Sequence, residues 1–184
     1  MADHVCPFWV GYLLLSPLRK LLEHPDKLLG PFVRPGMTVL EPGCAMGFFT
    51  LPLARLVGPA GRVIAVDIQP GMLAVLARRA RKAGLSERIE IRRSQQDSLG
   101  IGDLGHSADF AAAIHVVHEM PGQDAFFTQV RQALKPGGRL LVIEPKGHVS
   151  VEAFARMASI AEGAGFVRDA DFSDLKKRKL LLIC

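Results

Sequence analysis

The chain has 184 residues, of which 49% are apolar and 22% are charged. This length suits one compact domain, and the composition excludes extended disorder because it supplies enough apolar side chain for a core. Lys and Arg outnumber Asp and Glu by 23 to 18, a formal charge of +5. The basic residues cluster without interleaved aromatic side chains, a pattern that favours a solvated face and disfavours a nucleic-acid partner.

The N-terminal part of the chain predicts neither membrane insertion nor export. Its longest uncharged stretch, residues 5–18, is interrupted by prolines and a glycine and is shorter than the roughly 20 residues that cross a bilayer. The first four residues lack the basic start of a secretory signal, and the three cysteines are scattered, as in a reduced protein. We therefore expect a cytoplasmic protein.

Short apolar runs alternate with longer helical patterns, which predicts a parallel sheet flanked by helices. Five strands are predicted, at residues 38–41, 62–67, 88–92, 109–114 and 139–144. Helices are predicted at about 49–57, 70–83, 122–134 and 150–164. The third strand alternates in polarity, which indicates a position nearer the sheet edge, whereas the fourth and fifth are continuously apolar and therefore central.

Two further strands are predicted at residues 165–168 and 180–183. The polar segment between them is too short for the crossover helix that a parallel pair requires. We therefore expect these two strands to form an antiparallel hairpin on an otherwise parallel sheet.

The segment after the first strand carries the clearest ligand-binding signal. The strand ends in Glu41, and small residues at 43–47 then lead into a helix. Such a turn lets a ligand approach the backbone at the carboxyl end of a strand, where open α/β sheets bind ligands. Asp67 closes the second strand twenty residues after Gly47 and suits hydrogen bonds from both hydroxyls of a ribose. Each feature alone also suits a tight connection or a helix cap, but together they predict a nucleoside-containing ligand.

These features resemble the class I S-adenosylmethionine-dependent methyltransferases, whose first motif is an acid followed by three spaced glycines. The matching residues are Glu41, Gly43, Ala45, Gly47 and Asp67, with the segments 108–110 and 134–142. The resemblance covers residues 30–184 and implies a Rossmann-like α/β domain with helices on both faces. Its seven-stranded, mostly parallel sheet would have the order 3-2-1-4-5-7-6 with strand 7 antiparallel. It also implies S-adenosylmethionine as the cofactor and S-adenosylhomocysteine as the product.

By the same resemblance, the cofactor-binding residues fall into groups for the methionine part, the ribose and the adenine. They are Glu41, Gly43, Ala45 and Gly47 in the loop, Asp67 at the ribose, Ile68 and Met72 beside the adenine, Gln96 and Asp97 at its amino group, and His115 at the methionine end. Ala45 departs from the family's middle glycine, and alanine is tolerated there if its φ is negative.

Two pairs of a histidine and an acid follow the fourth and fifth strands, and we call them the histidine rim. They are His118 with Glu119, and His148 with Glu144. Adjacent strands would bring both histidines to the same edge of the sheet. The rim is open to three interpretations. It is structural, or His118 backed by Glu119 is an acceptor-orienting group or general base with His148 nearby, or both histidines join a carboxylate in a metal site. The wide ligand spacing argues against a compact metal motif, so no metal ligand is assigned.

Residues 1–30 contain the only Trp and the only Tyr. The resemblance implies a helical lid there, ahead of a methyltransferase domain at 31–184, and an ordinary amphipathic helix is the alternative.

The implied function is methyl transfer to a small-molecule acceptor. The alternatives are an RNA or protein methyltransferase, a noncatalytic S-adenosylmethionine-binding protein and an NAD-dependent oxidoreductase. The accepting atom and the oligomeric state stay open.

Overall fold

The computed structural model describes residues 23–184, and their contacts divide the chain after Ser94 into two compact units. The predicted N-terminal lid falls on residues 1–30, of which 1–22 lie outside the described residues. The described remainder contains a short helix, α1 (Pro25–Leu29), with proline in its first turn, where the missing N–H removes no helical hydrogen bond. The domain boundary after residue 30 stays a prediction.

The first unit is built from three parallel strands and the helices that connect them. Its further elements are β1 (Thr38–Pro42), α2 (Thr50–Leu56), β2 (Arg62–Asp67), α3 (Pro70–Lys82) and β3 (Ile89–Arg93). β1 pairs with β2, and β2 pairs with β3, both in parallel register. β1 and β2 are buried along most of their length, whereas only Ile89 of β3 is buried, because polar residues alternate with apolar ones in β3.

The second unit combines a parallel strand pair with an antiparallel addition. Its elements are β4 (Ala108–Ile114), α4 (Gln123–Ala133), β5 (Leu134–Ile143), α5 (Val151–Gly163), β6 (Val167–Arg168) and β7 (Lys179–Ile183). β4 and β5 are parallel, whereas β7 runs antiparallel to both β5 and β6. The predicted antiparallel hairpin is therefore confirmed, with a short 3₁₀ turn in its connection.

The seven strands form one sheet in the order β3-β2-β1-β4-β5-β7-β6. This confirms the predicted strand order and the antiparallel seventh strand. β3 lies at an edge of the sheet, as its alternating polarity indicates. Of the helices in the described part of the chain, none is both long enough and apolar enough to span a membrane.

The fifth strand differs from its prediction, because it begins at Leu134 rather than at residue 139. Leu134 pairs with Ala108, but the next paired residues are Arg139 and Phe110, so the register shifts between them. The intervening Lys-Pro-Gly-Gly segment is a bulge in the strand, with Gly137 at a φ of 76°, a conformation that glycine adopts without strain. The turn residues were therefore identified correctly, but the strand continues on both sides of them.

Candidate functional site

The loop between β1 and α2 has a left-handed backbone at three alternating positions. Gly43, Ala45 and Gly47 have φ values of 73°, 46° and 82°. The two glycines adopt this conformation freely, whereas alanine pays a steric cost for it. The negative φ under which alanine is tolerated without strain is therefore not met at Ala45. A side chain at Gly47 would overlap the end of the Leu76 side chain, so that glycine is also required for packing.

Backbone hydrogen bonds tie this loop to the end of β2. The N–H groups of Gly43 and Cys44 both donate to the carbonyl oxygen of Val66, at 2.8 and 3.0 Å. The N–H of Ala45 donates to Oδ2 of Asp67 at 2.8 Å. The N–H of Gly47 donates to the carbonyl of Cys44 at 2.9 Å. The loop is thus held against β2 by contacts within the first unit.

Asp67 has a structural role as well as a predicted binding role. Its Oδ1 accepts a hydrogen bond of 2.9 Å from the N–H of Gln69, while Oδ2 holds Ala45. A carboxylate has about four acceptor sites, so the backbone donors among residues 23–184 leave capacity for a ligand hydroxyl. Burial raises the pKa of the Asp67 carboxyl, and the backbone hydrogen bonds from Gln69, Ala45 and Ile68 oppose this rise.

Glu41 is a buried acid at the end of β1, and 4% of its surface is exposed. Its Oε2 has no hydrogen-bond partner among residues 23–184. Burial raises the pKa of Glu41 to about 8, with the Thr50 hydroxyl opposing the rise and the negative charge of Asp67 adding to it. A buried carboxyl oxygen without a partner is costly, and a donor group on a ligand would satisfy it.

The residues predicted beside the adenine differ in exposure. Ile68 is half-buried, whereas Met72 is 1% exposed and packs with Met46 and Val75, against which Ala45 also lies. Met72 therefore belongs to the buried cluster against which the β1–α2 loop packs through Ala45. Its contact with an adenine stays a prediction.

The polar residues predicted at the adenine amino group lie in the second unit. Gln96 and Asp97 are both exposed. They occupy a tight turn closed by a hydrogen bond of 2.7 Å from the N–H of Gln95 to the carbonyl of Ser98. Their side chains are accessible to a ligand, and their role stays a prediction.

His115 follows β4 with a φ of 60°, and its N–H donates to the carbonyl of Ile143 at 2.7 Å. Left-handed backbone at a residue other than glycine often accompanies a functional site. Two of the predicted cofactor residues, Ala45 and His115, share this property.

The histidine rim assembles as predicted, but with a different acid behind His118. The rings of His118 and His148 lie 5.8 Å apart between centroids. His118 Nδ1 lies 2.5 Å from Oε2 of Glu144, whereas His118 Nε2 lies 4.0 Å from Oε1 of Glu119. Glu144, and not Glu119, is therefore the direct partner of His118.

Glu144 also supports the backbone around His118. Its side chain is fully buried, and its Oε1 accepts hydrogen bonds from the N–H groups of Val117 and His118, at 2.8 and 3.3 Å. The sequence places Glu144 in the rim but indicates no role for it, because an acid at this position also suits a simple strand end. His118 follows β4, and Glu144 directly follows β5, the adjacent strand of the sheet. An acid at that strand end is the sequence signal that could have identified Glu144.

The hydrogen bond to Glu144 raises the pKa of His118 above its ordinary value, against the effect of burial, and the charges of Glu144 and Glu119 raise it further. His148 is exposed and contacts His118 ring to ring. Among residues 23–184, no group of three or more His, Cys, Asp or Glu side chains is arranged to hold a metal ion.

The first unit fits the cofactor that the sequence implies. Glu41 offers a buried oxygen that needs a donor, and Asp67 offers lone pairs suited to two ribose hydroxyls. The loop adds a half-buried backbone without a side chain at Gly43, whereas Gly47 is buried. These are the groups that a ligand carrying both an ammonium and a ribose would require.

Comparisons with known proteins agree with this geometry. A family model described as a methyltransferase domain matches residues 34–176, which is more than half of the chain. The chain is 32% identical over 112 residues to the ubiquinone/menaquinone biosynthesis C-methyltransferase UbiE of Hahella chejuensis. This match covers 61% of the chain and 44% of that protein, so the chain spans less than half the length of this curated relative.

Solved structures share the fold over longer stretches. An S-adenosylmethionine-dependent methyltransferase from Aquifex aeolicus has a TM-score of 0.83 and 24% identity, covering 97% of this chain and 98% of that one. The [4+2]-cyclase SpnF has a TM-score of 0.69 and 24% identity, covering 84% of this chain and 61% of that one. At these identities the likeness shows the fold alone.

Proposed function

The chain belongs to the class I S-adenosylmethionine-dependent methyltransferases, and on that premise we propose that it transfers a methyl group to a small-molecule acceptor. The observation that carries the proposal is the Asp67 carboxylate, which holds the β1–α2 loop through Ala45 and keeps lone pairs for a ribose. A small acceptor is supported by the UbiE relatives, whose name refers to the biosynthesis of ubiquinone and menaquinone.

The proposal assigns to the cofactor the residues that the family resemblance implies. Asp67 would accept hydrogen bonds from the ribose hydroxyls, and Glu41 would accept one from the cofactor's ammonium directly or through water. The remaining predicted contacts keep the roles given above; they are Gly43, Ala45, Gly47, Ile68, Met72, Gln96, Asp97 and His115. When bound, S-adenosylmethionine supplies its methyl group to an electron pair of the acceptor, and the electrons of the broken carbon–sulfur bond stay on sulfur.

His118 would accept the proton that a hydroxyl, thiol or activated carbon acceptor must lose. A histidine with an ordinary pKa of about 6.5 takes up a proton near neutral pH, and Glu144 raises that pKa. Glu119 and His148 would flank the acceptor and orient it. His118 and Glu144 follow the carboxyl ends of β4 and β5, and such ends are where open α/β sheets bind ligands.

Two measurements test this function in sequence. Calorimetry should detect binding of S-adenosylhomocysteine to the protein, and NAD should not compete for it. Transfer of labelled methyl from S-adenosylmethionine is then measured with a panel of hydroquinones and phenols, including 1,4-dihydroxynaphthalene, and separately with RNA and with protein. Label in the small-molecule fraction supports the proposal.

Each alternative predicts a different result in the same assays. Label confined to RNA or protein would identify a macromolecular acceptor. Binding without transfer to any acceptor would indicate a noncatalytic binding protein, and displacement by NAD would indicate an oxidoreductase. Because one structural relative carries the name of a cyclase, methyl transfer must be measured directly and not deduced from binding.

A further inference from the structure

We infer that Glu144 is a positioning residue that holds His118 as its Nδ1–H tautomer, so that Nε2 is the nitrogen that accepts the acceptor's proton. The inference rests on the proposed function for the destination of the proton. The tautomer itself follows from the contacts of the second unit and can be tested without turnover.

The carboxylate of Glu144 has three nitrogen atoms within hydrogen-bond distance. Oε1 accepts from the backbone N–H groups of Val117 and His118, and Oε2 lies 2.5 Å from His118 Nδ1. An ionised carboxylate accepts hydrogen bonds and donates none. His118 Nδ1 must therefore carry the proton of this bond.

The opposite ring nitrogen faces a different environment. Nε2 lies 4.0 Å from Oε1 of Glu119, beyond hydrogen-bond distance, and the exposed His148 ring packs against the His118 ring. The His118 side chain is 19% exposed. With Nδ1–H fixed by Glu144, Nε2 carries the lone pair in the neutral ring and is the basic nitrogen.

A role in holding the 117–119 turn does not explain the whole arrangement. Oε1 alone accepts both backbone N–H groups of the turn. Oε2 contacts the imidazole ring of His118. A side chain that only stabilised the backbone of the turn would not need this second contact. The second oxygen therefore acts on the orientation and proton placement of His118.

Long-range ¹H–¹⁵N NMR spectra of the labelled protein test the tautomer. Above its pKa, His118 of the wild type should carry its proton on Nδ1. Glu144→Gln keeps the shape and one oxygen for the turn, but its new amide can donate to Nδ1, so the proton should move to Nε2. Glu119→Gln is the matched control and should leave the proton on Nδ1. A His118→Gln spectrum assigns the signals.

If the neutral His118 ring of the wild type carries its proton on Nε2, the inference is overturned. This test requires only the wild-type protein. An unchanged tautomer in folded Glu144→Gln would also overturn it. Glu144→Asp retains a carboxylate, so it should restore Nδ1–H at least in part, and it provides a second test if the glutamine variant fails to fold.

Steady-state kinetics with a hydroquinone that the protein methylates test whether the tautomer of His118 affects the reaction. Glu144→Gln should lower kcat by about 10²-fold or more, as for loss of acid–base catalysis, with little change in KM. It should also move the rising limb of the pH profile to lower pH. Among residues 23–184, the titratable groups that face His118 are Glu144, Glu119 and His148. Glu152→Gln, on the exposed face of α5, is the control for the kinetic measurements.

The two proposals fail in distinguishable ways. If the tautomer inverts but kcat is unchanged, Glu144 positions the ring without serving proton transfer, and the inference is overturned on that point. If no hydroquinone or phenol is methylated, the proposed function is contradicted, while the NMR result still decides whether Glu144 positions His118.

Discussion

The carboxylate of Asp67 accepts a hydrogen bond of 2.8 Å from the N–H of Ala45, so one side chain joins the end of β2 to the loop after β1. The residue assigned to the ribose thus also shapes the loop assigned to the methionine part. Removal of Asp67 should therefore affect binding both directly and through the loop.

Asp67→Ala should lower the affinity for S-adenosylhomocysteine at least 100-fold. It removes two ribose contacts to a charged group, each worth about 1.5–3 kcal/mol, and releases the N–H of Ala45. Calorimetry measures the loss, with Asp171→Ala, an exposed acid of the second unit, as the control. Equal affinities for the wild type and Asp67→Ala would refute the ribose assignment.

Ala45→Gly should stabilise the protein by about 0.5 kcal/mol. A left-handed alanine costs roughly 1–2 kcal/mol, and relief of this strain is partly offset by the greater freedom of glycine in the unfolded chain. Urea denaturation measures the difference. Ala74→Gly, at an exposed position within α3, should instead destabilise by about 1 kcal/mol. A loss of stability in Ala45→Gly would mean that its φ of 46° is not strained.

Gly47→Ala should destabilise the protein more than Gly84→Ala does. Both glycines have a left-handed backbone, but an added methyl at Gly47 overlaps Leu76, whereas nothing lies within 4 Å of one at Gly84. Gly84→Ala therefore measures the backbone strain, about 1–2 kcal/mol, and the excess in Gly47→Ala measures the overlap. Equal losses of unfolding free energy would show that Leu76 moves aside freely.

Glu41→Gln should remove a pH dependence of stability between about pH 4.5 and 8. The folded-state pKa of Glu41 is about 8 against an ordinary 4.5, so the folded protein keeps a proton that the unfolded chain releases. Stability conferred by the protonated acid is therefore lost as pH rises across this window. The effect is on the order of 5 kcal/mol, because one pKa unit corresponds to about 1.4 kcal/mol.

Unfolding free energies at pH 5 and pH 9, without ligand, check this prediction. The difference between Glu41→Gln and the wild type should shift in favour of the variant at the higher pH. Glu87→Gln, at an exposed position, should follow the wild type at both. A parallel pH dependence in Glu41→Gln and the wild type would place the titrating group elsewhere.

The sequence predicted those features of the fold that depend on local pattern. Alternating polarity identified β3 as an edge strand, and strand succession brought His118 and His148 to one rim. It did not predict the contact of His118 with Glu144, which joins residues 26 positions apart and depends on side-chain direction. The φ of Ala45 was also missed, because alanine at that position is compatible with either sign until the hydrogen bonds of the loop are known.

The hydrogen bonds that hold the β1–α2 loop bear on the kinetics of binding. Four of its amides, those of Gly43, Cys44, Ala45 and Gly47, are already bonded within the first unit. Their exchange with deuterated solvent should be slow in the free protein and change little when ligand is added. A loop that is already hydrogen-bonded has no ordering step to complete before the ligand binds. Loop ordering should therefore not limit the observed association rate, which should rise in proportion to ligand concentration.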